Sequence, residues 1–141
     1  MKDWMPKDEY ELYQKKIGEL CLQMGLVEKR SKDYIEYHTE LETDFVFGEV
    51  IRMFDYDVHY YNAVVFFNKL IPSTSHYTDY KYIFENFHKE LPFKTDNNVI
   101  SFREPLEDVL NKVKYIVGNA IKQRKELDVE EKLSEMKEDF K

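Results

Sequence analysis

Three observations in the sequence predict an all-α fold, a single-domain helical bundle of about five helices. Apolar residues recur at helical spacing through most of the chain, Ser or Asp stands three residues before Glu at the head of three such stretches, and glycine is scarce. None of the four glycines lies between Gly48 and Gly118, and no Asn-Gly or Asp-Gly pair occurs. Tight hairpins ask for such residues at positive φ, so a hairpin-built sheet finds little support.

The elements follow in chain order. Tyr10, Tyr13, Ile17, Leu20, Cys21 and Met24 make one stripe of a helix from about Lys7 to Met24, with Gly25 as its stop. A second helix starts near Ser31 to Asp33, where Asp33 and Glu36 form a capping box, and continues through Tyr34, His38, Leu41, Phe45 and Gly48. The series Phe47, Val50, Ile51, Phe54, Val58, Tyr61 and Val65 is also helical in period, and Pro72 closes it. Against this, FVFGEVIRMF and NAVVFF have the composition of strands, so the alternative is an α+β fold with a small central sheet from residues 45–67.

Beyond the polar loop STSHYT, a short helix from about Thr78 to Leu91 carries Tyr80, Ile83, Phe84 and Phe87, and Pro92 ends it. Ser101 and Glu104 cap a long stripe of Leu106, Val109, Leu110, Val113, Ile116, Val117, Ala120 and Ile121. Asp128 and Glu131 cap a last segment with Val129, Leu133 and Met136. The predicted organisation is one helical domain over residues 1–127 and an acidic C-terminal helical tail over 128–141.

At 141 residues and 43% hydrophobic content the chain suits one domain with a real core. The lone Cys21 excludes an intramolecular disulfide and sits on an apolar stripe, as a packed thiol in a reducing compartment would. No apolar run approaches the roughly 20 residues of a membrane span, and MKDWMPKDEYE has charges where a signal peptide would be apolar. The expected location is cytoplasmic.

Charge is the most informative feature for function. Between Lys32 and Lys69 the only basic residue is Arg52, against Asp33, Glu36, Glu40, Glu42, Asp44, Glu49, Asp55 and Asp57. That run alone carries the chain's net charge of -7. Tyr34, Tyr37, Phe45, Phe47, Phe54 and Tyr56 are threaded through it, so negative charge and large contact surfaces coincide. Partner binding is therefore expected at Glu36, Tyr37, Glu40, Asp44, Glu49, Asp55, Tyr56 and Asp57. Direct nucleic-acid binding is not expected, since phosphate contacts need clustered Lys and Arg. Lys112, Lys114, Lys122, Arg124 and Lys125 form an acid-free basic run between Val109 and Lys125. The two runs could pair within one chain or join two chains as a homodimer.

Candidate chemistry is sparse. His38 and Glu42 would share a helix face, and Glu85 and His88 form one Glu-x-x-His motif, half of a carboxylate di-iron pattern that needs two. No metal and no cofactor are expected. There is neither a Gly-rich phosphate loop nor a Gly-x-Ser-x-Gly elbow. Arg52 and His59 form an Arg-x6-His spacing that resembles the signature of HEPN-type all-helical ribonucleases. The resemblance implies a dimeric RNA-cutting cleft in which Arg52 stabilises phosphorane charge and His59 moves protons at the 2′-OH; Asp55 and Asp57 lie between the two and would repel RNA.

The reading that follows is a non-enzymatic acidic protein-binding domain that inhibits or neutralises a basic partner, such as a nuclease or another nucleic-acid-binding protein. In size and composition it resembles immunity proteins, antitoxins and viral anti-defence inhibitors. The alternatives are the HEPN-like ribonuclease, a metal-dependent enzyme built on the His-Glu pairs, and a homo-oligomeric structural subunit.

Overall fold

The computed structural model describes residues 5–39, 45–56, 63–73, 80–95 and 99–139. The predicted helical bundle gives way to an α+β fold. Helix α1 (Lys7–Gln23) is followed by β1 (Val27–Arg30), β2 (Tyr34–His38), β3 (Val46–Phe47), β4 (Glu49–Phe54), β5 (Ala63–Phe66), β6 (Lys69–Pro72) and β7 (Tyr82–Glu85). A 3-10 turn (His88–Glu90), β8 (Val99–Ser101) and helix α2 (Leu106–Asp139) complete the described chain.

The strands form two sheets. Five run antiparallel in the order β1-β2-β4-β5-β8, and three form a smaller sheet in the order β3-β7-β6, where β3 and β7 are parallel. Central strands lie in 45–67, as the alternative sequence reading held, but the sheets reach from Val27 to Ser101.

Two features of the strands explain the misleading helical period. β2 and β4 pair as Tyr34↔Phe54, Ile35↔Met53, Glu36↔Arg52 and Tyr37↔Ile51, then shift so that His38 faces Glu49. The bulge inserts Val50 as an extra residue and breaks strict alternation. Glu49, Val50, Ile51 and Met53 are all buried, so β4 is covered on both faces and its apolar residues need not alternate at all. Glycine scarcity also misled. β1 and β2 are joined by residues 31–33, closed by Ser31 N–H donating to Tyr34 O at 2.9 Å. The other connections along the large sheet are longer, and longer loops do not require positive φ.

Gly25 does stop α1 as expected. Its φ of 97° permits a Schellman end, in which Leu26 N–H donates to Cys21 O at 3.0 Å and Gly25 N–H to Leu22 O at 3.1 Å. Of the stripe read from sequence, Tyr10, Tyr13, Ile17 and Cys21 form with Gly18 the buried face of α1, and Leu20 and Met24 are partly buried beside it. It lies close on β2, where a Cβ at Gly18 would stand 2.5 Å from the Tyr37 hydroxyl. Tyr10 Oη and Gln14 Nε2 both donate to Phe54 O at 2.7 Å, which fixes α1 to the end of β4. Burial pushes the Tyr10 hydroxyl and the Cys21 thiol each up to about 12, with Asp55 adding to the first, so Cys21 is a packed apolar group rather than a nucleophile.

Helix α2 buries Val109, Val113, Ile116, Val117 and Ala120, the core half of the stripe predicted for it. The turn just before it is tied to α1 by Tyr13 Oη donating to Glu104 O at 2.9 Å, and the helix itself to the small sheet by Leu70 N–H donating to Gln123 Oε1 at 3.0 Å. It runs unbroken for 34 residues, about 51 Å at 1.5 Å per residue, so the predicted boundary at 127/128 falls inside it. The ion pair of Arg124 with Asp128 at 3.3 Å spans that position. The segment predicted as a helix near 78–91 is instead β7 and the 3-10 turn. Among the described residues no helix is long and apolar enough to cross a membrane.

Candidate functional site

The β2-β4 pairing gathers four polar side chains, Glu36, His38, Glu49 and Arg52, that the helical reading had kept apart along the chain. Glu36 and His38 are two apart on β2 and share a face of the sheet. Glu36 sits opposite Arg52 and His38 opposite Glu49. On a regular strand Glu49 and Arg52, three apart, would point to opposite faces; the bulge at Val50 turns both toward Glu36 and His38.

The cluster is buried and densely bonded. His38 is 2% exposed and Glu49 3%. Arg52 donates from Nε to Glu49 Oε1 at 2.6 Å and from Nη2 to Glu49 Oε2 at 2.9 Å, a fork-to-fork pair. Its Nη2 also lies 3.6 Å from Glu36 Oε1, and that oxygen is 3.3 Å from His38 Nε2. The guanidinium stacks 4.6 Å over the Tyr34 ring, and the His38 ring meets Phe47 edge-on at 5.3 Å.

Two carboxyls so close cannot ionise independently. Burial pushes Glu49 up to about 8, helped by its hydrogen bond to Glu36 and opposed by Arg52. Burial also works against the charge of Glu36, but the hydrogen bond from Glu49 and the charges of His38 and Arg52 outweigh it and hold Glu36 below the usual carboxylate range. Near neutral pH Glu49 therefore tends to keep a proton that it shares with Glu36.

The centre opens into a groove of about 540 Å³ lined by Phe47, Glu49, Arg52, Phe67, Ile83, Phe84, Glu85 and Asn86. Its walls come from both sheets. The Asn86 Oδ1 is buried without a hydrogen-bond partner among the described residues, which leaves one acceptor available at this groove. An apolar cleft with convergent polar groups and a displaced carboxyl is the usual form of a ligand site.

A second concavity lies between α1 and the β1-β2 edge. Glu11 and Glu19 of α1 meet Glu28 and Asp55 around a groove of about 410 Å³, with Lys15 and Arg30 as its basic members and Leu22 as its exposed apolar one. Arg30 Nε donates to Glu28 Oε2 at 3.1 Å, and Tyr37 Oη donates to Glu28 Oε1 at 2.8 Å.

The residues expected to bind a partner thus divide. Glu36 and Glu49 are the carboxyls of the buried centre. Tyr37 is in the core, where burial and Glu28 raise its hydroxyl, so its ring surface is spent inside the fold. Tyr56 is half-buried, its ring 5.2 Å from Tyr10 and its hydroxyl donating to Met5 O at 3.0 Å. Asp55 is exposed at the α1 groove, its N–H donating to Asp33 O at 2.9 Å. Glu40, Asp44 and Asp57 lie outside the described residues, as do Glu42 and His59.

The HEPN resemblance loses its frame, because that signature belongs to helices and Arg52 lies on a strand against two carboxyls. Glu85 and His88 fall on different elements, β7 and the 3-10 turn, so they do not share a helix face. The basic run on α2 places Lys112 against Glu104 and Arg124 against Asp128, both outside the acidic run. Sequence reasoning missed Glu11, Glu19 and Glu28, which no local pattern links to Asp55. It also missed the Glu36-His38-Glu49 grouping, whose one local signal is Glu-x-His at strand spacing. No family model, curated protein or solved structure matches the chain, so the site is read from its own geometry.

Proposed function

We propose that the chain is a non-enzymatic protein-binding domain that docks a basic segment of a partner protein in the groove between α1 and the β1-β2 edge, and by occupying it inhibits or neutralises that partner. The observation that carries this reading is the convergence of Glu11, Glu19, Glu28 and Asp55, from three parts of the sequence, on one concave surface. Glu28 is already held by Arg30 and Tyr37, and Glu19 is in an exposed pair with Lys16 at 3.7 Å, so Glu11 and Asp55 would meet incoming Lys or Arg first and Glu19 by exchanging its partner. Exposed Leu22, which lines the groove, adds apolar contact. The excess of acid would speed encounter by steering, and apolar contact would set the dissociation rate. A nuclease or other nucleic-acid-binding protein has the required basic surface.

The test is a variant with Glu11, Glu19 and Asp55 all changed to Lys. Binding partners captured from a lysate by wild type and variant are compared, and the captured basic protein is then purified and its association rate measured at two salt concentrations. The expected result is a salt-sensitive association in the wild type that falls roughly tenfold or more in the variant at low salt. An association rate equal in wild type and variant refutes the reading.

A further inference from the structure

Glu36, His38 and Glu49 offer two carboxylate oxygens and one imidazole nitrogen that all lie within 4.8 Å of one another. A first-row divalent ion with bonds of about 2.0–2.2 Å needs its donors roughly 3–4 Å apart, so small side-chain rotations would close this set around one ion. We propose that Glu36, His38 and Glu49 form a binding site for a zinc-class divalent cation, with Arg52 as the outer partner that orients Glu49.

The donor set and its support favour this over a mere polar cluster. All three donors stand on adjacent paired strands, where backbone hydrogen bonds fix them, and the bulge at Val50 is what brings Glu49 onto the donor face. A neutral imidazole with two carboxylates suits Zn²⁺ or Mn²⁺ better than Mg²⁺, which prefers all-oxygen sites and keeps its waters. Arg52 holds both oxygens of Glu49 at 2.6 and 2.9 Å, and hydrogen-bonded outer partners of this kind orient the ligands of metal sites. Once the ion has displaced the proton shared by Glu36 and Glu49, the positive charge of Arg52 leaves the two carboxylates with one net negative charge, which a divalent cation would overcompensate by one. The groove beside Glu49 and Arg52 supplies an entry path, and water or a groove ligand would complete the coordination.

The experiment is a calorimetric titration of chelator-treated full chain with Zn²⁺, Mn²⁺ and Mg²⁺, beside the His38→Ala, Glu49→Gln, Arg52→Lys and Glu107→Gln variants. X-ray absorption on the wild-type zinc complex gives a readout that no variant's folding affects. The expected result is one equivalent of Zn²⁺ bound more tightly than Mg²⁺. Affinity should be weakened roughly 100-fold or more by His38→Ala or Glu49→Gln, about tenfold by Arg52→Lys, and unchanged by Glu107→Gln, an exposed carboxylate on α2 away from the groove. The absorption spectrum should contain a single imidazole among oxygen neighbours. Absence of saturable Zn²⁺ binding, equal affinity in a folded His38→Ala variant, or a spectrum with no imidazole or several would overturn the assignment.

Discussion

Carboxylates of one acidic stretch of sequence end in two opposite environments. Glu36 and Glu49 are enclosed with Arg52 and His38 on the inner side of the β2-β4 pair, whereas Asp55, one residue past β4, is exposed at the α1 groove. The same chemical group is structural inside and available outside. What separates them is register: the β2-β4 pairing and its bulge direct Glu36 and Glu49 inward, and the end of β4 releases Asp55 to solvent. Charge density along a sequence therefore says little about surface potential until the strands are placed.

The sharpest way to break the comparison is to remove Arg52. Arg52→Ala would leave Glu49, which is 3% exposed, without the guanidinium that bonds both of its oxygens. Breaking a buried pair from one side typically costs about 3–5 kcal/mol, and urea unfolding near neutral pH should show a loss of that order. A loss below about 1 kcal/mol would mean that water reaches the cluster freely and that inside and outside do not differ.

The second way uses pH on chelator-treated protein. Glu49 has its folded pKa raised from 4.5 to about 8, so between those values the folded chain keeps a proton that the unfolded chain has lost. Stability should be fully present below about pH 4.5 and fall toward pH 8, at a slope approaching 1.4 kcal/mol per pH unit for this group alone. Below that window the depressed carboxylate of Glu36 acts in the other direction, losing stability as pH falls. Glu49→Gln should flatten the fall; an unchanged slope would place the proton elsewhere.

How much of this was legible depended on the kind of pattern. α1 and the core stripe of α2 were readable because a helix repeats every 3.6 residues over four turns or more, long enough for Tyr10, Tyr13, Ile17 and Cys21, or Val109, Val113, Ile116 and Ala120, to declare a face. The strands of 27–72 showed only in the composition of FVFGEVIRMF and NAVVFF, since each runs only two to six residues and β4 is buried on both faces. The capping box seen in Asp33 and Glu36 shows the hazard well. Asp33 closes a three-residue turn and Glu36 faces Arg52 across strands, so the spacing was present and its meaning different. At the site, Glu36, Glu49 and Arg52 were named, yet His38 was matched with Glu42 at helical spacing when its neighbour at strand spacing, Glu36, is 3.3 Å away.

A third, smaller test sits where the core meets the α1 groove. Tyr37 Oη donates to Glu28 Oε1 at 2.8 Å, and its ring packs under Gly18. Tyr37→Phe keeps the ring and removes the donor, so a loss of about 1–2 kcal/mol is expected from one charge-assisted hydrogen bond to a partly exposed partner. Gly18→Ala attacks the same contact sterically, because its Cβ would stand 2.5 Å from that hydroxyl. In the Tyr37→Phe background the Gly18→Ala penalty should shrink, and a double-mutant cycle that adds without interaction would show that the two do not meet.

The smallest expected effect on stability belongs to the outermost carboxylate, and it carries the most weight for function. Asp55→Lys alters an exposed side chain at the end of β4, so unfolding should move by less than about 0.5 kcal/mol. Its backbone link to Asp33 at 2.9 Å does not depend on the side chain and should survive. If the α1 groove receives a basic segment, the same substitution reverses one of the three carboxylates placed to meet it and should slow association at low salt while leaving the fold intact. Glu49→Gln should do the reverse, changing the pH dependence of stability without touching that association rate. A variant pair that crosses these effects would show that the buried centre and the acidic groove act as one site; clean separation would leave the molecule with two independent surfaces drawn from a single acidic stretch.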